Sequence, residues 1–185
     1  MHTHARIVII GGGIVGVSTA YHLQKRGWRD IVVLDQGPLF KNLGSTSHAP
    51  GLMFQHNNSR TVCKLAQWSV ATYLEAEREL GQELLCWKVG SLEIAETPER
   101  WLELKRKLGN CKAWGLEAYL VGREEIGSLV PIIKTDDLYG ALHVPSDLDV
   151  RGVALASALA RLRERDGATT YYPNTPVTGI EVVNG

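Results

Sequence analysis

Several features that would place this 185-residue chain in a specialised class of protein are missing from its sequence. It has only three cysteines, Cys63, Cys86 and Cys111, which are far apart and lack CxxC spacing, so neither a disulfide framework nor a zinc site is expected. Basic and acidic residues are equal at 20 each, so no long-range field favours nucleic acid or an anionic membrane. We therefore expect a reducing compartment, no metal, no nucleic-acid partner and no membrane partner.

Long hydrophobic runs are missing as well. The most apolar stretch, Ile7 to Val17, is interrupted by glycines and is shorter than the roughly 20 residues of a membrane span. Residues 1–6 are too short for the charged and apolar regions of a secretory signal. The hydrophobic content of 44% is nevertheless enough for a core. We expect a soluble, cytoplasmic protein.

The first 35 residues have the pattern of a βαβ unit. Arg6–Ile10 is a β-branched run that is hydrophobic on both faces, which predicts a central parallel strand covered on each side. Ile14–Arg26 has helical spacing and is followed by Gly27, which favours a left-handed helix end. Ile31–Leu34 predicts a second buried strand, which ends on Asp35. The sequence therefore predicts an α/β fold.

The middle of the chain has a different pattern, which predicts an inserted layer of helices and strands. The predicted elements there are a helix from Ser59 to Leu80, a strand over Leu84–Ala95, a helix that begins at Thr97-Pro98, a strand over Tyr119–Val121, a helix over Arg123–Leu129 and a strand over Leu138–Val144. The apolar positions of the two longer helices are Val62, Leu65, Ala66, Tyr73 and Leu74, and Trp101, Leu104 and Leu108.

The last part of the chain returns to the α/β pattern. It predicts a helix from Val150 to Arg165 and strands over Thr169–Tyr172 and Val177–Val183. We therefore expect a nucleotide-binding domain in two segments, 1–58 and 145–185, separated by the insertion 59–144. Asn184-Gly185 is a strong hairpin signal with no return strand after it, which predicts a domain that is incomplete at the C-terminus and a longer protein.

A dinucleotide-binding fingerprint lies between the first strand and the first helix. Gly11, Gly13 and Gly16 have GxGxxG spacing, and Asp35 follows at the end of the second strand. The glycines would permit a tight turn, a close approach of pyrophosphate to the backbone and close packing of helix on strand. The alternative is that they are plain turn formers. The charge of Asp35 disfavours NADP, whereas FAD and NAD both remain open.

The segment GSTSHAPGL, Gly44 to Leu52, has neither helical nor strand period, so packing does not explain it. Ser45, Thr46 and Ser47 offer hydroxyl groups and, if they open the next helical turn, backbone N–H groups to phosphate or ribitol oxygens. The 13 residues from Asp35 to His48 span at most about 40 Å, enough to pass along a dinucleotide. On spacing alone, His48 is either a functional residue or a solvated loop histidine.

Four segments carry a resemblance to a known family. RIVIIGGGIVG, VVLDQGP, GSTSHAPGLMFQ and GALHVPSD resemble the N-terminal part of the dimethylglycine oxidase, dimethylglycine dehydrogenase and sarcosine dehydrogenase family of D-amino-acid-oxidase-like flavoproteins. The resemblance implies a Rossmann-like FAD-binding domain with an inserted α+β segment of a substrate domain. It implies that His48 carries FAD covalently through the flavin 8α carbon. It further implies FAD contacts at Ile14, Val15, Asp35, Gln36, Ser45, Thr46, Leu52 and Val177.

The same resemblance implies a flavin-dependent oxidase or dehydrogenase that demethylates an N-methyl amino acid, dimethylglycine or sarcosine, by hydride transfer to the flavin. The substrate-facing residues of that family lie beyond this sequence, so no catalytic residue is assigned, and the chain by itself is expected to be inactive. Folate would be a partner only through a C-terminal domain that the sequence does not include. Where family members often have Asp-Gly after Val-Pro-Ser, this chain has Asp147-Leu148-Asp149.

Two other classes of function are kept open. The first is an NAD-dependent dehydrogenase, in which the GSTSHAPGL segment would have no role. The second is a non-catalytic dinucleotide-binding module whose partner performs the chemistry.

Overall fold

The computed structural model describes residues 3–41, 44–81, 86–164 and 166–183. Along the chain it contains β1 (Ile7–Ile10), α1 (Ile14–Lys25), β2 (Ile31–Leu34), α2 (Ser45–His48), β3 (Leu52–Met53), α3 (Arg60–Leu80), β4 (Cys86–Lys88), β5 (Ser91–Ala95), α4 (Pro98–Trp114), β6 (Tyr119–Val121), α5 (Arg123–Leu129), β7 (Gly140–Val144), β8 (Leu148–Val150), α6 (Gly152–Glu164) and β9 (Thr169–Tyr172).

These elements form two compact units. The first unit consists of Met1–Pro50, Glu75–Leu85 and Arg151–Gly185, and the second consists of Gly51–Leu74 and Cys86–Val150. The sequence placed its borders after residues 58 and 144, whereas the compact units change after residues 50 and 150. The assignment of these segments to functional domains stays a prediction.

The first unit is built on a parallel sheet of three strands in the order β1-β2-β9. Ile7 pairs with Ile31, and Ile31 pairs in turn with Thr169. Helix α1 packs on this sheet through Ala20, which forms a buried cluster with Ile31 and Val33. The predicted βαβ unit is therefore confirmed. In this unit β1 and β2 end side by side, next to the first turn of α1.

Strand β1 differs from the prediction in its surroundings. It lies at one edge of the three-stranded sheet, and Val8 and Ile10 are 53% and 57% exposed. The expected cover on both faces is thus not present among the described residues, because α1 packs only on the face that carries Ile7 and Ile9.

The predicted strand over Val177–Val183 is wrong for the described residues. Residues 175–182 have no regular structure, and Ile180 and Val182 are 75% and 80% exposed. β-branched residues favour a strand only where a neighbouring strand accepts their hydrogen bonds and a layer covers their side chains. The described part of the chain provides neither beside this segment. Asn184 and Gly185, the basis of the hairpin prediction, lie outside the described residues.

The second unit contains two antiparallel sheets, β3-β8-β4 and β5-β7-β6. The predicted strand over Leu84–Ala95 is in fact two strands in different sheets, since β4 pairs with β8 and β5 pairs with β7. Gly90 separates them with a φ of +71°, a left-handed backbone that interrupts strand geometry. Leu84 and Leu85 lie outside the described residues.

Helix α4 packs two fully buried side chains into the core of the second unit. It begins as predicted, because the Thr97 hydroxyl accepts a hydrogen bond from the Arg100 backbone N–H at 3.2 Å and Pro98 occupies the first turn. Leu104 and Cys111 are fully buried, and Trp101 and Leu108 pack against the same cluster. Burial is also the main cause that raises the pKa of the Cys111 thiol to about 11.

Helix α3 has its predicted length, but its predicted apolar positions are partly wrong. Val62 and Leu65 are 45% and 53% exposed, whereas Cys63, Val70 and Ala76 are buried. The helix contains apolar residues on more than one face, so periodicity alone does not show which face is buried.

A buried carboxylate joins three segments of the second unit. Asp147 Oδ1 accepts hydrogen bonds from the Gln55 backbone N–H at 2.9 Å and from Gln55 Nε2 at 3.1 Å, and Oδ2 accepts one from the Ser91 hydroxyl at 2.5 Å. Asp147 is 2% exposed, so these donors compensate for the loss of hydration. Leu148 then begins β8 with a buried side chain.

Replacing Leu104 by alanine is expected to lower the free energy of unfolding by about 2–5 kcal/mol, because it leaves a cavity in a fully buried cluster. Leu102 on the same helix is 57% exposed, so Leu102→Ala is the matched control and should change stability by no more than about 0.5 kcal/mol. Urea unfolding of the intact protein measures both variants, and equal losses would contradict this description of the core.

Candidate functional site

A cavity of about 660 Å³ lies in the first unit, at the ends of β1 and β2. Its size is within the range of about 300–1,000 Å³ that small-molecule and cofactor sites occupy. All the predicted cofactor-binding residues except His48 and Leu52 line it, namely Gly11, Gly13, Ile14, Val15, Gly16, Asp35, Gln36, Ser45, Thr46 and Val177. Their roles as cofactor contacts stay predictions, and the structure brings them to one cavity.

The turn requires glycine at two positions for different reasons, the backbone angle at Gly11 and the lack of space at Gly16. Gly11 has a φ of +109°, a backbone that other residues rarely adopt. A Cβ atom on Gly16 would lie 1.9 Å from the carbonyl oxygen of Gly11, far inside any allowed contact. Because α1 approaches the end of β1 this closely, its first turn faces the cavity.

The first turn of α1 is suited to an anion. A helix N-terminus has N–H groups without partners inside the helix, and it bears a partial positive charge. Val15 and Gly16 line the cavity, and the first turn of α1 contains no acidic residue. Lys41, which also lines the cavity, adds a positive charge. This part of the cavity therefore favours a phosphate group.

Asp35 has a second role beside the predicted one. Its Oδ2 accepts a hydrogen bond from the Gly12 backbone N–H at 2.7 Å, and its Oδ1 accepts one from the Gly37 backbone N–H at 2.9 Å. The carboxylate thus holds the glycine turn against the end of β2. Each carboxylate oxygen can accept a further hydrogen bond, so the predicted contact with a ribose hydroxyl is compatible with these two.

Helix α2 is a single turn that the sequence did not reveal. Periodicity needs several turns before it becomes visible, and this helix has only four residues, Ser45–His48. The Thr46 hydroxyl accepts a hydrogen bond from the backbone N–H of Ile14 at 2.9 Å. Gly13, the N-cap residue of α1, has no side chain to do this, so Thr46 caps α1 from another element.

His48 lies at the end of α2, directly after the lining residues Gly44–Ser47. Its side chain is exposed, and its Nδ1 lies 2.8 Å from the carbonyl oxygen of Gly44. A carbonyl oxygen can only accept, so Nδ1 carries the hydrogen of this bond. In the neutral ring the other nitrogen, Nε2, then carries the lone pair.

The two remaining predicted contacts have different positions. Val177 lines the cavity, although it belongs to a segment without strand structure. That segment is held at the end of β2, because the Thr175 backbone N–H donates to the carbonyl oxygen of Asp35 at 2.7 Å. Leu52 is the first residue of β3 in the second unit and is 52% exposed.

Sequence reasoning missed several lining residues, namely Gly12, Pro38, Phe40, Lys41, Val153, Ala156 and Thr175. The sequence did contain a signal for Gly12, since this residue lies inside the GxGxxG fingerprint. The structure shows why glycine is needed there, because a Cβ atom would lie 2.4 Å from the Leu39 side chain and 3.3 Å from Asp35 Oδ2. Val153 and Ala156 carried no signal, because small apolar residues at the start of α6 look the same whether they face a cavity or a neighbouring helix.

A second cavity, of about 430 Å³, lies in the second unit beside His56. The ring of His56 stacks on Trp114, and within the described ranges its buried Nε2 has no hydrogen-bond partner. Burial is the main cause that lowers the pKa of this imidazole. Among its charged lining residues, Lys107 forms an ion pair with Glu93, and the Asp147 carboxylate accepts hydrogen bonds from Gln55 and Ser91.

The described ranges contain neither a metal-binding group of side chains nor a membrane-spanning helix. No group of three or more histidine, cysteine, aspartate or glutamate side chains could hold a metal ion there. No helix in the same ranges is long and apolar enough to cross a membrane.

The fold and the cavity define a dinucleotide-binding α/β domain of the Rossmann type. Comparison with known proteins then gives the family: the family model described as "DAO: FAD dependent oxidoreductase" matches residues 6–185. The chain belongs to this family of FAD-dependent oxidoreductases, which confirms the fold class and the resemblance seen in the sequence.

Three relatives are similar over nearly the whole chain. Dimethylglycine dehydrogenase of Rattus norvegicus is 37% identical over 177 residues, which are 96% of this chain and 20% of that protein. Sarcosine dehydrogenase of Homo sapiens is 36% identical over 179 residues, 96% of this chain and 19% of that protein. The pyruvate dehydrogenase phosphatase regulatory subunit of Mus musculus is 34% identical over 190 residues, 98% of this chain and 21% of that protein.

The chain therefore spans about a fifth of the length of these relatives. All three are mitochondrial by name, so the cytoplasmic location stays a prediction without support from them. Among solved structures, L-proline dehydrogenase from P. horikoshii is 25% identical and superimposes with a TM-score of 0.88 over 100% of this chain and 48% of that chain.

Replacing Gly16 by alanine is expected to weaken FAD binding by about tenfold or more, because the new Cβ atom would push α1 away from the Gly11 carbonyl. A Cβ atom on Gly109 of α4 would meet nothing within 4 Å outside its own helix backbone, so Gly109→Ala is the matched control and should bind FAD normally. Anaerobic fluorescence titration of the intact proteins, prepared without flavin, measures FAD binding, with circular dichroism to compare their folding. Normal binding by Gly16→Ala would exclude the glycine turn as the phosphate site.

Proposed function

We propose that this chain is the FAD-binding N-terminal part of an oxidoreductase that demethylates an N-methyl amino acid, dimethylglycine or sarcosine, and that His48 holds the FAD covalently. Membership of the FAD-dependent family supports the cofactor and the type of reaction. The names of two relatives that are 36–37% identical support the substrate class. The position of His48 directly after the cavity lining is the observation that carries the covalent link.

The residues of the first unit would contact the cofactor in four places. The glycine turn and the first turn of α1 would hold the pyrophosphate, and Asp35 would hold the adenosine ribose. Ser45 and Thr46 would lie between the pyrophosphate and the flavin half, since α2 lines the same cavity and Thr46 accepts a hydrogen bond from the first turn of α1. Val177 would contact the adenine, as the resemblance implies.

His48 would make the covalent bond through Nε2. Its Nδ1–H is engaged with the Gly44 carbonyl oxygen at 2.8 Å, so this nitrogen has no lone pair to offer. Nε2 has the lone pair in the neutral ring, and the imidazole is exposed and therefore accessible to a ring that enters the cavity. The Gly44 carbonyl oxygen thus selects the tautomer and the orientation of the side chain.

When bound, FAD would supply an electron-accepting ring that takes a hydride equivalent from the N-methyl carbon of the substrate and leaves an iminium, which water converts to formaldehyde and the demethylated amine. No residue of the described chain is assigned to proton transfer or to substrate binding. The contribution of this chain is to bind and orient the cofactor.

A second candidate function has one specific observation in its favour. A relative that is 34% identical over 98% of the chain is by name a regulatory subunit, so this part of the sequence also occurs in a protein named for regulation. The second candidate is accordingly a dinucleotide-binding module without chemistry of its own. The NAD-dependent alternative has no such observation, since the family that matches is FAD-dependent.

Replacing His48 by alanine is expected to abolish covalent attachment and to leave reversible FAD binding, because the cavity lining stays intact. After acid precipitation, the wild-type pellet should keep its yellow flavin, whereas the His48→Ala protein should release it into the supernatant. The exposed His4 is the matched control, and His4→Ala should behave as wild type. Release of all flavin from the wild-type protein would exclude the covalent link.

Anaerobic addition of dimethylglycine or sarcosine to the intact flavoprotein is expected to bleach the flavin absorbance and to yield one formaldehyde per flavin. Trimethylglycine is the matched control substrate: its quaternary nitrogen has no lone pair to stabilise the cation that hydride loss would form, so it should not bleach the flavin. If the protein binds FAD but neither N-methyl amino acid lowers the flavin absorbance, the result would favour the non-catalytic module.

A further inference from the structure

Helix α2 is too short to determine its own position. A single turn fixes several backbone angles for very few hydrogen bonds, so it is unstable by itself. Its described backbone bonds run from Ser47 N–H to the Gly44 carbonyl oxygen and from Ala49 N–H to the Ser45 carbonyl oxygen, both at 3.0 Å. The Ser47 hydroxyl also donates to the Gly44 carbonyl oxygen at 2.7 Å, a local bond that closes the turn on itself. Tertiary contacts must therefore fix the position of this turn, and of the histidine at its end, relative to the cavity.

Thr46 makes the contacts that can do so, on two sides. Its hydroxyl oxygen accepts the Ile14 N–H at 2.9 Å, and it would lie only 3.0 Å from a Cβ atom on Gly13. On the other side, a Cβ atom on Gly152 would lie 3.1 Å from the Thr46 carbonyl oxygen. Thr46 thus connects α2 to the N-terminus of α1 and lies close against the start of α6.

The Thr46 hydroxyl also has a hydrogen to donate. An oxygen that accepts from Ile14 N–H can still donate its own hydrogen. Thr46 lines the cavity, and this hydroxyl lies at the first turn of α1, where the cofactor phosphate is proposed to bind. A hydrogen bond from Thr46 to a phosphate oxygen would therefore connect the cofactor, α1 and α2 in one chain of hydrogen bonds.

We infer that Thr46 is the positioning residue that sets the distance between His48 and the bound cofactor. The inference rests on the proposed function, since it concerns the covalent link through His48. His48 follows Thr46 by two residues in the same helical turn, so a displacement of Thr46 from α1 displaces the imidazole as well. A misplacement of about 1 Å can slow a reaction between bound groups by about 100-fold.

The rate at which FAD becomes covalently attached reports the distance between His48 and the flavin. A bond forms between His48 Nε2 and the flavin 8α carbon, while one hydrogen leaves the methyl group and one leaves the imidazole. The two electrons and two protons end on dioxygen, supplied by the buffer, as hydrogen peroxide. Thr46 takes no part in this exchange and acts only on the distance between the two atoms that join.

The experiment compares Thr46→Val with Thr46→Ser in the intact protein prepared without flavin. Valine has nearly the shape of threonine but cannot accept the Ile14 N–H, whereas serine keeps the hydroxyl. Each protein is incubated in air with FAD at increasing concentrations, and acid-insoluble flavin is measured over time. Thr61 is exposed on α3, so Thr61→Val is the matched control for this change of side chain.

At saturating FAD, Thr46→Val is expected to attach flavin about 10- to 100-fold more slowly than wild type, while Thr46→Ser stays within about threefold. Thr61→Val should be indistinguishable from wild type. The saturating concentration matters because a loss of affinity alone is overcome by more FAD, whereas a displaced imidazole stays slow.

Three results would overturn the inference: a wild-type rate for Thr46→Val, a defect that disappears at high FAD, or a serine variant as slow as the valine variant. The failure of the proposed function has a different signature, since wild-type protein would then attach no flavin at all. Near-UV circular dichroism of the Thr46→Val protein tests whether it is folded, and reversible FAD binding in the His48→Ala background tests whether its cavity is intact.

Discussion

The cofactor site of this chain depends on the close approach of α1 to the end of β1. Only glycine at position 16 permits it, since a Cβ atom there would lie 1.9 Å from the Gly11 carbonyl oxygen. The approach brings Val15 and Gly16 in the first turn of α1 to the cavity, where an anion can accept hydrogen bonds from their N–H groups. Every other feature of the site is arranged around this turn.

Two side chains from other elements stabilise the turn before any ligand is bound. Asp35 accepts the Gly12 N–H from the end of β2, and Thr46 accepts the Ile14 N–H from α2. In both cases an oxygen atom accepts a hydrogen bond from a backbone N–H group near the positive end of α1, as a phosphate oxygen would. The site is therefore organised in advance, so that less conformational entropy is lost when the cofactor binds.

The sequence predicted those parts of the site that are local in the chain. The glycine spacing, the βαβ pattern and Asp35 lie within 35 residues, and periodicity with the known demands of the turn was enough to place them. The covalent role of His48 and the contacts at Ile14, Val15, Gln36, Leu52 and Val177 came only from the resemblance to a family. The strand predicted over Val177–Val183 was wrong, because strand structure depends on a neighbour that the described residues do not provide.

What the sequence by itself determined was the class of the fold and the turn that would receive a phosphate, since both depend on short-range backbone requirements that particular residues meet. The family followed from the resemblance of four segments. Tertiary structure alone decided that Thr46 caps α1, that Gly44 selects the tautomer of His48 and that Asp147 joins three segments of the second unit. The Thr46 and Asp147 hydrogen bonds join residues tens of positions apart. The hydrogen bond from His48 to Gly44 is local in the chain, but it depends on a single helical turn whose position is fixed by tertiary contacts. This turn is too short to show helical periodicity in the sequence.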